Sequence, residues 1–322
     1  MKNKLFINIL IASVLFTQML FTQALFAQDA EEKKEKQEEF SRELIMQVSI
    51  FPDTKAKLSF TKYFTFMFLQ GESPLTEDNN IKLSLTAEVT PVSFGGLVGA
   101  IWTPIAFFQL NAGGGIGSGW ILRISEDEYY GIGINQADED GHSKNNGRSF
   151  DAIHWNIYAG GVLQFDLAAL FPGEWNHIIG KTTHSFFYRG YARAKSDEAW
   201  YVENDEGENT NGLSYIGDFL LGYRMPIFLS MAALMVEANL YLDDIPNHGK
   251  WGGDKPQWIF SGILNFTIHK QFEILLAVQF QTARNYLEHD WSELYYRNRT
   301  INNSRPYNFE FYRLATILTY RF

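Results

Sequence analysis

The chain of 322 residues contains no cysteine. This absence excludes disulfide bonds, a thiol nucleophile and a lipid anchor attached through cysteine. After the first 27 positions the sequence also lacks any apolar run of about 18 residues, so it predicts no membrane-spanning helix in the mature chain. Basic residues are fewer than acidic ones, 27 against 37, and the formal net charge is −10. That balance argues against nucleic acid as a partner.

The N-terminus predicts a secretory signal peptide over residues 1–27. Lys2 and Lys4 supply a basic start, an apolar stretch follows, and small residues stand near Ala27. The alternative is an uncleaved anchor helix, which the polar residues after position 16 disfavour. Residues 28–41 are almost all charged or polar, and we interpret them as a solvated periplasmic tail. The remainder, 42–322, is expected to form a single domain.

Aromatic residues make up 16% of the chain, and they recur in segments of alternating hydrophobicity. Residues 81–89 and 272–280 show the alternation most clearly. Only a helix or a closed barrel satisfies its backbone in lipid, so an exported chain of such segments predicts an all-β, antiparallel, up-and-down transmembrane β-barrel. We count twelve strands, or ten if residues 42–51 do not span. Long extracellular loops are predicted at 123–149, 196–211, 243–255 and 287–306.

The last segment places apolar and polar side chains on opposite faces. One face is predicted to carry Tyr312, Leu314, Leu318, Tyr320 and Phe322, and the other Arg313 and Arg321. The terminal aromatic pair Tyr320 and Phe322 resembles the C-terminal assembly signal of bacterial outer-membrane β-barrel proteins. The resemblance implies export to the outer membrane, contact with outer-membrane lipid, and recognition by the barrel-assembly machinery.

On each strand, the alternate positions that carry polar side chains are predicted to line the lumen. A charge on the lipid side costs about 2–4 kcal/mol near the bilayer midplane, so the charged strand residues must face inward. We expect Arg189, Arg193 and Glu237 near the middle of their strands. No cofactor is expected. The residues predicted to line the lumen and set its selectivity are Arg189, Arg193, Asp218, Arg224, Glu237, Glu273 and Arg313.

Acidic residues cluster in two of the predicted loops, 126–140 and 197–208. Carboxylate oxygens at close spacing suit hard cations such as Ca²⁺, and Asp138 and Asp140 are candidate ligands. The simpler interpretation is two solvated acidic loops at the cell surface. The run Gly113 to Gly117 lies within a strand and opens no helix, which excludes a dinucleotide-binding loop.

A short stretch resembles the active-site region of outer-membrane phospholipase A, a family of twelve-stranded barrels. The matching features are His142, the run Asn146-Gly-Arg-Ser149, and Trp155-Asn156. The resemblance implies His142, Ser143 and Asn156 as candidate catalytic residues. The sequence departs from the family because Lys144 stands two positions after the histidine, where the family has its serine. Ser143, adjacent to the histidine, would point to the opposite face of an extended strand.

Three functions are compatible with this sequence. The leading hypothesis is a non-enzymatic narrow pore or transporter for small hydrophilic solutes. The second is a closed barrel that acts as a structural or adhesive surface protein through its long loops. The third is a phospholipase A-like hydrolase.

Overall fold

A computed structural model describes residues 41–51, 55–125, 127–195, 198–203, 208–243 and 248–322. The predicted signal peptide and nearly all of the charged tail lie outside these residues. Twelve antiparallel strands close into a barrel, which confirms the predicted fold class and strand number. The barrel strands are β1 Arg42–Phe51, β2 Lys55–Met67, β3 Asn80–Val89, β4 Ser93–Ile105, β5 Phe108–Gly119, β10 His154–Asp166, β11 Ile178–Tyr191, β14 Gly212–Arg224, β15 Leu229–Tyr241, β16 Gln257–His269, β17 Phe272–Arg284 and β18 Tyr307–Arg321.

The first and last strands close the cylinder. β1 pairs with β2 on one side and with β18 on the other, so that Glu43 lies opposite both Thr61 and Arg321. The remaining barrel strands pair with their neighbours in chain order. A closed sheet leaves no edge strand with unpaired backbone groups.

The two ends of the barrel differ. At one end, here called the long-loop end, the connections include 120–153, 192–211, 242–256 and 285–306. At the other, the short-turn end, the connections are 68–79, 106–107, 167–177, 225–228 and 270–271. The connection 167–177 begins with a single 3₁₀ turn, Leu167–Ala169, in which the backbone amide of Ala168 donates to the Asp166 side chain.

The barrel wall is apolar outside and largely polar inside. Because side chains alternate along a strand, one set points outward and the other into the lumen. No helix among the described residues is long and apolar enough to cross a membrane. The outward set exposes large apolar side chains around the barrel, among them Leu58, Phe60, Leu85, Val98, Ile116, Ile157, Leu163, Phe186, Phe219, Leu221, Leu234, Phe260, Val278 and Phe280.

A β-bulge in β18 corrects the predicted parity of that strand. Gln279 of β17 lies opposite Arg313, and the next residue, Phe280, lies opposite Phe311, so Tyr312 is the extra residue. Tyr312 is therefore buried, although the alternation placed it on the apolar outer face. Beyond the bulge the parity is reversed, and Phe309 and Phe311 are the exposed aromatics.

The long loops form a second structural layer above the barrel. A hairpin pairs β6 Ile121–Ile124 with β7 Asp127–Tyr130. A four-stranded sheet joins two loops in the order β13 Asn209–Thr210, β12 Ala199–Val202, β8 Ile132–Ala137 and β9 Ser143–Gly147. All four residues of β12 are buried. The connections 120–153 and 192–211 are thus one folded unit.

Candidate functional site

The lumen has a packed side and an accessible side. The inner faces of β11, β14 to β18 and β1 are mostly buried, including the apolar residues Ile45, Leu220, Met235, Leu275 and Ile317. These residues belong to one continuous cluster along the wall. The inner faces of β3, β4, β5 and β10 are different, because their central residues are only half-buried: Lys82, Ser84, Gly99, Gly113, Gly115 and Tyr158.

Glycine creates this accessible side. Gly99, Gly113 and Gly115, here called the glycine strip, face the lumen from the paired strands β4 and β5. A Cβ added at Gly99 would lie 2.8 Å from Ser84 Oγ and 3.1 Å from the Tyr158 hydroxyl oxygen. Tyr158 therefore lies across the strip, and its ring stacks on Phe187 at 5.5 Å. The missing side chains make room for the Tyr158 ring against the wall, so that Lys82, Ser84 and Tyr158 form a half-buried polar lining on this side.

The middle of the packed side carries charge. Arg313 donates to Gln279, which in turn donates to Ser261 Oγ at 2.8 Å. One Arg313 amino group has no hydrogen-bond partner among the described residues. Asp218 and Glu237 lie directly opposite each other on β14 and β15, and both are buried. The unpartnered Arg313 amino group is expected to bind water or a solute.

An ion-pair network crosses the seam near the short-turn end. Arg321 on β18 lies 3.3 Å from Glu43 on β1 and 2.9 Å from Glu273 on β17. The Tyr63 hydroxyl donates to Glu43 at 2.8 Å, and Lys82 lies over the Tyr63 ring at 5.0 Å. Five strands are therefore tied together where the barrel closes.

The loop 192–211, here called the mouth loop, is anchored inside the long-loop end. Glu203 lies 3.1 Å from the Lys57 ammonium nitrogen and accepts a hydrogen bond of 2.8 Å from Ser93. Lys57 faces the lumen from β2 and also pairs with Glu88 of β3 at 3.4 Å. Burial raises the pKa of Glu203, but the Lys57 charge and the Ser93 hydrogen bond outweigh burial, so the pKa lies below its usual value.

A second anchor holds the other half of the mouth loop. The carboxylate of Glu208 is 2% exposed and lies between Arg284, at 3.2 Å, and Arg299, at 3.0 Å. Arg299 stacks over Trp291 at 5.1 Å, and Arg284 over Trp251 at 5.0 Å. Glu203 and Glu208 thus fasten the loop to strands on both flanks of the barrel mouth. The sequence predicted a solvated acidic loop here, and the ion pairs of half-buried Glu203 and buried Glu208 correct that interpretation. Asp197, Asp205 and Glu206 lie outside the described residues.

Before its first anchor, the mouth loop packs against the end of the barrel. Trp200 stacks with His154 of β10 at 6.5 Å and contacts Tyr191 at the end of β11. Trp200, Tyr191, Ile132 and Val202 belong to one buried cluster. The loop therefore restricts the mouth of the lumen.

The sequence-predicted lumen residues are distributed along the barrel. Asp218, Glu237, Glu273 and Arg313 are buried on the inner face. Arg189 is half-buried near the long-loop end of β11 and donates to Ser214. Arg224 ends β14 at the short-turn end. The expected mid-strand positions of Arg189 and Arg193 are wrong, because β11 ends at Tyr191. Arg189 lies two residues before that end, and Arg193 follows it and pairs with Asp151 at the mouth.

The three candidate catalytic residues do not form a catalytic arrangement. The His142 ring lies 4.0 Å from Asp138, and the Ser143 hydroxyl donates to Asn135 at 2.8 Å. Asn156 is on the barrel wall, paired in register with Arg189. Among the described residues, no hydrogen bond joins the histidine to the serine or to Asn156, although nucleophile and base need that contact.

The two candidate metal ligands lie in the same loop as His142. Potential ligand atoms of Asp138, Asp140 and His142 fall within 4.8 Å of one another at the surface. Asp138 Oδ1 accepts hydrogen bonds from the backbone amides of His142 and Asp140, at 2.8 and 3.0 Å. These bonds, led by that of His142, lower the pKa of Asp138. These hydrogen bonds close a turn of the loop, and they account for the position of the Asp138 carboxylate.

The terminal aromatics lie on the outer face of the seam. Phe322 contacts Phe60 of β2 at 6.1 Å and Tyr320 at 5.7 Å between ring centroids. The backbone amide of Phe322 donates to Arg42, which keeps the chain end in register with β1.

Several residues of the site were not singled out by sequence reasoning as functional. Lys57, Tyr158 and Glu203 are the clearest cases. Tyr158 was placed on the inner face by parity, but its position over the glycine strip depends on pairing with β5. Lys57 and Glu203 carry no local signal, because they belong to segments that meet only in the folded chain.

Comparison with known proteins gives a likeness of fold only. No protein-family model matches the chain, and no curated protein matches it in sequence. Two similar solved structures are a KdgM porin and a KdgM porin in complex with disordered oligogalacturonate. They match with TM-scores of 0.36 and 0.35 at 11% identity, over 87% of this chain and 99% of theirs. At these TM-scores the likeness carries no inference about transport.

Proposed function

We propose that the protein is an integral outer-membrane β-barrel that acts as a narrow, loop-restricted pore for small hydrophilic solutes and has no enzymatic activity. The long-loop end faces the cell exterior and the short-turn end faces the periplasm. The signal peptide, export and recognition of Tyr320 and Phe322 by the barrel-assembly machinery are part of this proposal.

The outer surface supports the membrane location. Apolar residues cover the barrel wall, and the turns of the short-turn end expose large apolar side chains that would lie at the membrane interface. Such apolar bands with interfacial aromatics are typical of outer-membrane barrels. The exposed residues of these turns include Phe68, Leu69, Leu75, Phe107, Leu170, Phe171, Trp175, Ile227 and Phe228.

The observation that carries the pore proposal is the accessible polar wall inside the barrel. Half-buried Lys82, Ser84 and Tyr158 line the glycine strip, whereas the opposite wall is packed. Eight strands just fill a barrel with side chains, and sixteen leave a wide aqueous channel. Twelve strands with glycines on one wall therefore favour a narrow, eccentric passage.

The mouth loop supports size restriction. Its buried carboxylates Glu203 and Glu208 are paired, so the loop is fastened over the lumen. Solutes that pass must be small, or the loop must move. A wide general porin is not expected from this arrangement.

A liposome-swelling assay tests the proposal. Refolded protein is reconstituted, and swelling is followed with glycerol, a monosaccharide, a disaccharide and a trisaccharide; protein-free liposomes are the control. We expect swelling that falls steeply with solute size. Swelling indistinguishable from protein-free liposomes for every solute would contradict the pore.

A closed structural or adhesive barrel is the second candidate. Its supporting observation is the folded loop layer, where Ala199, Trp251 and Tyr296 pack into one buried cluster. A binding surface for a host or matrix ligand would need such fixed loops. This candidate predicts no swelling with wild-type protein, and none after the mouth loop is released by Glu203→Gln.

A further inference from the structure

Buried oxygen atoms without partners gather on one part of the lumen wall. Asn111 Oδ1, Ser185 Oγ and Asp218 Oδ1 each lack a hydrogen-bond partner among the described residues. All three side chains are more than nine-tenths buried. A buried polar atom that has lost water without gaining a partner destabilises the fold, so this group of oxygens requires something that satisfies them.

The strand register brings two of these oxygens together and places the third on the neighbouring strand. Gly160 of β10 lies opposite Asn111 on β5 and opposite Ser185 on β11. A Cβ added at Gly160 would lie 2.7 Å from Ser185 Oγ and 3.0 Å from Asn111 Oδ1, so both side chains lean over this glycine. Asp218 follows on the next strand, β14, opposite Thr183 of β11, which stands two residues before Ser185. Asp218 is therefore the diagonal neighbour of Ser185 on the inner face.

Two carboxylates lie on this part of the wall. Glu237 lies opposite Asp218 and is 1% exposed. Lys181, on the same face of β11, and His184 are the nearby bases that act on Asp218. Oxygen ligands of this kind bind hard metal cations, and they also accept hydrogen bonds from the three donors of an ammonium group.

We propose that Asn111, Ser185 and Asp218, with Glu237 beside them, form a binding site for a small monovalent cation in the wall of the lumen. The ligand is recognised by oxygen coordination, so an alkali metal ion and a primary ammonium group share the required chemistry. The inference rests on the proposed pore and deepens it: Asn111 stands two residues from Gly113, so the site borders the passage and makes it prefer cations to anions.

Reversal potentials in a KCl gradient test the preference. We expect wild-type pores to favour K⁺ over Cl⁻, and Asp218→Asn to reduce the permeability ratio several-fold. Glu128→Gln, in the exposed β6–β7 hairpin, is the matched control and should leave the ratio unchanged. Conducting wild-type pores that prefer Cl⁻, or an Asp218→Asn ratio equal to wild type, would overturn the cation site while leaving the pore intact.

A binding measurement separates this inference from conduction. Thermal unfolding of detergent-solubilised protein is compared in KCl, methylammonium chloride and tetramethylammonium chloride at equal concentration. The last cation has no N–H donor and is too bulky to be coordinated. We expect K⁺ or methylammonium to raise the unfolding midpoint of wild type and not that of Asn111→Ala, which removes one oxygen without changing charge.

The two measurements have distinct failures. Equal midpoints in all three salts would mean that water alone occupies the site, and would overturn the proposal even if the pore conducts. A cation-specific shift without any conductance would leave the site in place and remove the pore. An unfolding midpoint raised by methylammonium but not by K⁺ would identify the ligand as an ammonium group. A midpoint raised by K⁺ but not by methylammonium would identify it as a metal ion.

Discussion

The carboxylate of Glu203, in a loop at the barrel mouth, lies 3.1 Å from the ammonium nitrogen of Lys57, which faces the lumen from the second strand. Side-chain exposure is 11% for the glutamate and 9% for the lysine. An acidic residue of the loop thus pairs with a basic residue of the barrel interior. Through this ion pair the loop forms part of the lumen lining.

Glu203→Gln should release the mouth loop. Lys57 keeps its pair with Glu88, so the substitution removes one charge-assisted contact of the loop, which is worth about 1.5–3 kcal/mol, or about tenfold to a hundredfold in the equilibrium between the seated and released loop. We expect larger single-channel conductance and passage of larger solutes. The control is Glu128→Gln, which disrupts an exposed pair with Arg123. Equal conductance in the Glu203→Gln variant and wild type would show that the loop does not limit flow.

The mouth should open only in acid. The pKa of Glu203 in the folded protein lies below its ordinary value of 4.5 because Lys57 and Ser93 outweigh burial. A depressed carboxyl pKa contributes stability above the ordinary value, and this stability is lost as pH falls through the folded pKa. We expect conductance to be constant from about pH 8 to pH 5 and to rise below about pH 4. The rise should be absent in Glu203→Gln, so a rise of equal size in that variant would assign it to another group.

Glu208→Gln should unfold the loop layer and spare the barrel. The substitution leaves Arg284 and Arg299 buried without a counter-charge, which costs about 3–5 kcal/mol. Trypsin should then cleave the long loops quickly, while the barrel still migrates as a folded species in unheated gel samples. Glu293→Gln, whose side chain is exposed, should digest like wild type. Cleavage of Glu208→Gln at the wild-type rate would contradict this anchor.

Arg321→Ala should weaken barrel closure. Arg321 pairs with Glu43 on the first strand and Glu273 on the neighbouring strand, so its loss leaves two buried carboxylates without that partner. We expect a lower temperature for the conversion from folded to unfolded gel mobility, by several degrees. Arg305→Ala, in an exposed loop position, is the control. Identical conversion temperatures for Arg321→Ala and wild type would rule out this role of the seam network.

Gly99→Val should narrow the passage. The added Cβ would lie 2.8 Å from Ser84 Oγ and 3.1 Å from the Tyr158 hydroxyl oxygen, so the valine must push these side chains into the lumen, and conductance should fall while folded gel mobility is retained. Gly262→Val is the matched control, because no atom lies within 4 Å of its added Cβ and the residue faces outward. A folded Gly99→Val variant with wild-type conductance would show that the passage does not follow the glycine strip.

The alternation of residues such as Ile81 to Val89 was sufficient to predict the barrel. Alternation is a local property of a strand with one apolar face, and it is present in the sequence without knowledge of the partner strand. The same logic placed Asp218, Glu237, Glu273 and Arg313 on the inner face, where the structure has them.

Features that depend on distant partners were not predictable in this way. The bulge at Tyr312 is defined by the pairing of β18 with β17, and one extra residue reverses the parity beyond it. The burial of Glu203 depends on Ser93, 110 positions away. Glu203 and Glu208 therefore look like solvated loop residues in sequence, although the folded loop pairs both.

Planar-bilayer recording of refolded wild-type protein beside the Glu203→Gln variant tests the central claim most directly, because it asks whether an aqueous path follows the polar wall under the mouth loop. The account predicts stepwise conductance in the wild type and larger steps in the variant. The absence of conductance steps from both proteins at every voltage, with folding verified by gel mobility, would contradict the account.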